Sequence, residues 1–76
     1  MTFLLRPGAP LGTAQLHARA LEDWRATARL VSLEWDRVLF ADSGTRDDAF
    51  AAYVAALDAE AAAADELAGL YLRAAA

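Results

Sequence analysis

Apolar positions recur along this chain with the period of an α-helix, in two stretches of nearly equal length. In the first, Leu21, Trp24, Ala28, Val31, Trp35 and Val38 follow one another at steps of 3, 4, 3, 4 and 3, the spacing of a coiled-coil seam. In the second, Phe50, Tyr53, Val54, Leu57, Ala61, Ala64, Ala68 and Tyr71 share one helical face. The segment Asp42-Ser43-Gly44-Thr45 lies between them. The pattern predicts an arm over 1–12, a helix over 13–42, a turn at 43–45 and a helix over 46–75. Each helix is about 45 Å long at a 1.5 Å rise per residue, so the two can align end to end as an antiparallel hairpin.

Local signals support these boundaries. Both prolines and two of the four glycines fall in residues 1–12, which cannot continue a helix. Phe3, Leu4 and Leu5 give this extended arm an apolar tip, suited to folding back on the helices or docking on a neighbour. Thr13 is the expected N-cap of the first helix, and Gly44 the expected left-handed residue closing it. Thr45-Arg46-Asp47-Asp48 opens the second helix with acid in its first turn, where the helix dipole favours it. Arg19/Asp23, Glu22/Arg25 and Glu34/Arg37 stand at spacings for surface ion pairs.

About the short turn, an antiparallel register sets Trp35 near Tyr53 and Val54, Val31 near Leu57, Trp24 near Ala61 and Ala64, and His17 near Tyr71. Large side chains then meet small ones, as a packed helix pair requires. The expected hairpin core is Leu21, Trp24, Val31, Trp35, Val38, Phe50, Tyr53, Leu57 and Tyr71. Leu30, Leu33, Phe40, Leu67 and Leu70 are left over and form the expected partner interface. The fold class is therefore all-α: a coiled-coil-like two-helix hairpin that completes a four-helix bundle by dimerising or by docking on another protein. Leu33→Asp or Phe40→Asp should then break assembly with little loss of helix.

Composition sharpens this picture. The chain has 76 residues, of which 58% are hydrophobic, above the usual ~45–50%. Much of the excess is alanine, so the chain is apolar without being bulky. A single core of this size supplies only a few kcal/mol, which again calls for a covered surface outside the hairpin. There is no cysteine, hence no disulfide or thiolate metal site. Lys, Asn and Ile are absent and all seven basic residues are Arg, which points to a GC-rich bacterial genome.

Net charge is −4, and the acid is concentrated from Asp47 onward, where Asp47, Asp48, Asp58, Glu60, Asp65 and Glu66 stand against Arg73 alone. That surface repels phosphate backbones and offers no basic patch with interleaved aromatics, so nucleic-acid binding is not expected. No apolar run reaches the ~18 residues of a spanning helix. The amino-terminal stretch lacks the basic region of a leader. A cytoplasmic protein off the membrane is expected.

Catalytic chemistry is sparse. His17 is the single histidine and lacks the Glu-x-x-His partners of a metal-carboxylate bundle, so it reads as structural. Asp58 and Asp65 share a polar face with no nucleophile beside them. The expectation is a non-enzymatic protein–protein interaction module without cofactor or metal. It would act as a homo-oligomer, in the form of a homodimeric bundle, or as an accessory subunit or assembly factor of a larger bacterial protein.

In outline the hairpin resembles the small WXG-type proteins of type VII secretion. The turn here, Asp42-Ser43-Gly44-Thr45, lacks their Trp-x-Gly, and Tyr53 and Tyr71 are followed four residues later by Leu57 and Ala75, not by an acid. The resemblance is confined to the outline. It implies, as an alternative, a secreted hairpin that pairs with a second helical chain.

Overall fold

A computed structural model describes residues 12–75. The expected arm, residues 1–12, lies outside them apart from Gly12. The described chain forms two helices, α1 (Thr13–Phe40) and α2 (Arg46–Ala75), packed on each other, with no strand among the described residues. His17 contacts Leu70 and Tyr71, while Trp35 contacts Tyr53. Contacts that run in opposite chain directions make the pair antiparallel.

The helix ends differ in detail from the sequence expectation. Gly12 occupies the N-cap, and Thr13 is the first helical residue. Gln15, at the third helical position, reaches back to accept a hydrogen bond from the Gly12 N–H at 2.9 Å, which is half of a capping box. α1 stops at Phe40, two residues early, and its C-cap Ala41 is extended (φ −72°, ψ 144°). No left-handed glycine closes it, because Gly44 does not have a positive φ. The Asp42 carboxylate explains the early stop. Its Oδ1 accepts from the Gly44 N–H (2.9 Å), the Thr45 N–H (3.0 Å) and the Thr45 hydroxyl (3.1 Å). A side chain that gathers nearby donors gives the backbone an alternative to continuing the helix.

The two helices meet along positions spaced alternately 3 and 4 apart. On α1 the seam runs from His17 through Ala20, Trp24, Thr27, Val31, Glu34 and Val38 to Ala41. On α2 it runs through Ala49, Tyr53, Ala56, Glu60, Ala63, Leu67 and Leu70. Every one of these residues is buried or half-buried. Among the described residues, Ala20, Ala49 and Ala56 are the buried apolar side chains, and no large apolar side chain is buried.

This seam differs from the expected one on α2. Leu67 and Leu70, expected to face a partner, are half-buried between the helices, while Phe50 and Leu57, expected in the core, are exposed. The cause is size. α1 already brings Trp24, Val31 and Val38 to the seam, and the small side chains of Ala49, Ala56 and Ala63 let the α2 backbone approach them. Setting Phe50 and Leu57 there as well would force the axes apart.

Candidate functional site: an open apolar face

A two-helix layer has two broad faces, and the sequence composes them differently. Beside the seam on one side, α1 presents Leu21, Ala28 and Trp35, each seven residues apart, and α2 presents Phe50, Leu57, Ala64 and Tyr71, likewise seven apart. A seven-residue repeat keeps side chains in line along a paired helix. The two lines lie on the same side, because the Trp35 ring packs on Tyr53 at 5.0 Å and Phe50 packs on the same Tyr53 at 6.1 Å, both tilted by 46°. No member of either line is charged. The opposite flank is mixed: Leu16, Asp23, Leu30 and Arg37 on α1, with Ala52, Ala59, Glu66 and Arg73 on α2.

The apolar face is largely open. Trp35 is 42% exposed, Phe50 51% and Tyr71 53%. Val54 and Leu57 are also exposed. Of the expected hairpin core, Leu21, Trp24, Val31, Val38 and Tyr53 are half-buried, whereas Trp35, Phe50, Leu57 and Tyr71 look outward. Of the expected partner set, Leu30, Leu33 and Phe40 are exposed on α1. They lie away from the aromatic face, with Leu30 on the mixed flank. Sequence reasoning passed over Ala20, Ala49, Glu34 and Glu60 as seam residues and Leu39 as an exposed one. The signal for α2 was present: the 4-3 alternation that begins at Ala49 is as regular as the one that begins at Phe50.

Two polar groups reach into the seam. The Trp24 indole Nε1–H donates to Glu60 Oε2 at 2.6 Å, linking the helices. Glu34 is buried, and its Oε2 has no hydrogen-bond partner. Arg37 Nη1 lies 3.4 Å from that oxygen, close enough to balance charge but not aligned as a hydrogen bond, so Glu34 is only partly compensated. The His17 ring stacks near Tyr71 (5.1 Å) and its Nε2–H donates to the Leu70 carbonyl at 3.3 Å. His17 thereby ties the open end of the hairpin together. The remaining ion pairs, Glu22 with Arg25 and Arg29, are exposed and worth about 0–1 kcal/mol.

Open grooves lie at the two ends of the layer. One is lined by Arg37, Phe40, Ala41, Thr45, Asp48 and Ala49, the other by Thr13, Leu16, His17, Leu70, Arg73 and Ala74. Among the described residues no three His or carboxylate side chains gather as metal ligands, and no helix is long and apolar enough to cross a membrane. The chain matches no family model, no curated protein and no solved structure.

Proposed function

We propose that this chain is a non-enzymatic protein–protein interaction module, and that the face carrying Trp35, Phe50, Leu57 and Tyr71 is its working surface. One observation carries the reading. The positions that flank the seam on one side, Leu21, Ala28, Trp35, Phe50, Leu57, Ala64 and Tyr71, are apolar across both helices, while those that flank it on the other side mix apolar residues with Asp23, Arg37, Glu66 and Arg73.

The thin interior supports the same reading. Among the described residues the buried apolar side chains are three alanines, far less than an independent domain of this length needs. Covering the open face with another helical surface would turn a one-seam pair into a bundle with a central core. The module would work in the cytoplasm as a bundle or as a small accessory subunit. Absolute mass by light scattering after gel filtration, with far-UV circular dichroism on the same peak, tests the reading. A helical species heavier than the 8.1 kDa chain, lost on Leu57→Asp, is expected. A helical monomer that melts cooperatively by itself would overturn it.

A further inference from the structure

We propose that the arm ahead of α1 straps the mixed flank of the hairpin: Leu11 packs on Leu16, Arg6 pairs with Asp23 and Glu66, and Leu4 reaches Leu30. The occupant of this flank is residues 4–11 of the same chain, which lie outside the described residues. The proposal is independent of the interaction reading above, which concerns the opposite face.

The cap of α1 sets the direction. Gly12 is the N-cap, and Gln15 accepts from its N–H. Leu11 is then the residue before the cap and Leu16 the fourth residue of the helix. An apolar pair at those two positions packs together and fixes the angle at which the chain enters a helix. Leu16 is exposed and lines the groove at the open end, together with Thr13 and Leu70. A Leu11–Leu16 contact lays the chain across this groove. It turns the arm back along the flank where Leu16, Asp23 and Leu30 stand seven residues apart.

Length fits this path. Gly12 has φ −67° and ψ 160°, close to polyproline II values. Pro7 and Pro10 favour the same φ, and a residue ahead of a proline, as Arg6 and Ala9 are, is steered away from the helical region. Counted from Leu16, Asp23 stands about 10 Å and Leu30 about 21 Å along α1 at 1.5 Å per residue. An extended arm rising 3.1 Å per residue places Arg6 about 15 Å and Leu4 about 22 Å from Leu11. Leu4 comes level with Leu30, and the long Arg6 side chain covers the difference to Asp23.

Charge fits as well. In the register marked by His17 on Tyr71 and Trp35 on Tyr53, Glu66 lies across the flank from Asp23, within one residue of level. Both carboxylates are exposed, and neither forms an ion pair among the described residues. Two like charges so placed repel, and a cation between them relieves the repulsion. Arg6 is the one charged side chain of the arm. Arg73, the basic group at the groove, donates to the Gly69 carbonyl of its own helix at 3.3 Å. An apolar–basic–apolar arm therefore meets an apolar–acidic–apolar flank. The arm is also tethered at the mouth of the groove, so it competes at a high effective concentration against any separate segment.

The chain contains no cysteine, so paired cysteines in the full chain report the strap directly. Leu4→Cys with Leu30→Cys should close an intramolecular disulfide on mild oxidation, read as a species of monomer mass that migrates faster without reductant. Leu4→Cys with Ser32→Cys is the comparison. Ser32 is exposed at nearly the same level but about 200° round α1, and this pair should link at least about tenfold more slowly. In the Leu30 pair, Arg6→Glu should slow linking about two- to fivefold, the size of an exposed ion pair, and Asp23→Arg in the same chain should restore it. Equal linking at Leu30 and Ser32, or none at either, overturns the strap. Linking of the Leu30 pair into covalent dimers alone also overturns it and assigns the flank to the arm of another copy. An Arg6→Glu chain that links at the parent rate overturns the pairing with Asp23 and the register built on it.

Discussion

The hydrogen bond from the Trp24 indole to Glu60 is the sharpest test of how this hairpin is held. It joins α1 to α2 near their middles, at 2.6 Å, in a half-buried setting. A hydrogen bond to a charged group contributes about 1.5–3 kcal/mol, and partial solvent access places this one at the lower end. Trp24→Phe removes the donor and keeps an aromatic ring in the seam. Glu60→Ala removes the acceptor. The double-mutant cycle should return a coupling of about 1.5 kcal/mol. In a chain of this size that amounts to a Tm loss of roughly 6–12 °C for the bond alone. Thermal and urea melts followed by circular dichroism would measure it. Protomer concentration must be held constant, because any self-association would make Tm depend on it. Trp35 provides an internal reference: its fluorescence should change little while that of Trp24 responds to Glu60→Ala. If the two substitutions add within about 0.3 kcal/mol, the bond contributes nothing and the seam rests on apolar packing alone.

Further outcomes follow from the geometry. Leu57→Asp places a carboxylate in the proposed interface and should weaken self-association at least about a hundredfold by sedimentation or light scattering. Leu33→Asp and Phe40→Asp, away from the aromatic face, should assemble like the parent, and the reverse pattern would relocate the interface to α1. Asp42→Ala deletes the acceptor shared by Gly44 and Thr45 and should cost about 1 kcal/mol, as loss of a helix cap does; an unchanged melt would mean the turn holds without it. Gly44→Ala should be neutral or raise stability by about 0.4–1 kcal/mol, because no positive φ must be maintained and the added Cβ meets Asp42 Oδ1 at 3.4 Å; a loss above about 1 kcal/mol would mean that contact cannot relax. Glu34→Met replaces an under-partnered seam carboxylate by an apolar side chain of similar length and should raise Tm by several degrees, whereas a fall would show that the ion pair with Arg37 holds α1 in place.

The polar seam residues clarify why so lightly packed a hairpin has one register. Alanine lines slide easily, since successive turns present the same shape. The Trp24–Glu60 bond, the His17–Leu70 bond and the Trp35–Tyr53 stack each engage at one axial setting. A directional contact specifies alignment where smooth packing cannot.

Much of this architecture is local and therefore legible in the amino-acid order. The 3-4 spacing of apolar residues, the acids at the start of α2 and the alanine content dictate two helices, because helix formation depends on neighbours within a few residues. The short polar turn makes the helices antiparallel, and charge segregates to α2 without reference to any fold. The tertiary structure alone decides which side of α2 turns inward. Its sequence carries two equally regular stripes, one starting at Ala49 and the other at Phe50, about 100° apart on the helix. Periodicity cannot rank them. Volume does, because the large side chains α1 brings to the seam leave room only for the stripe of Ala49, Ala56 and Ala63, and the aromatic stripe is left on the open face.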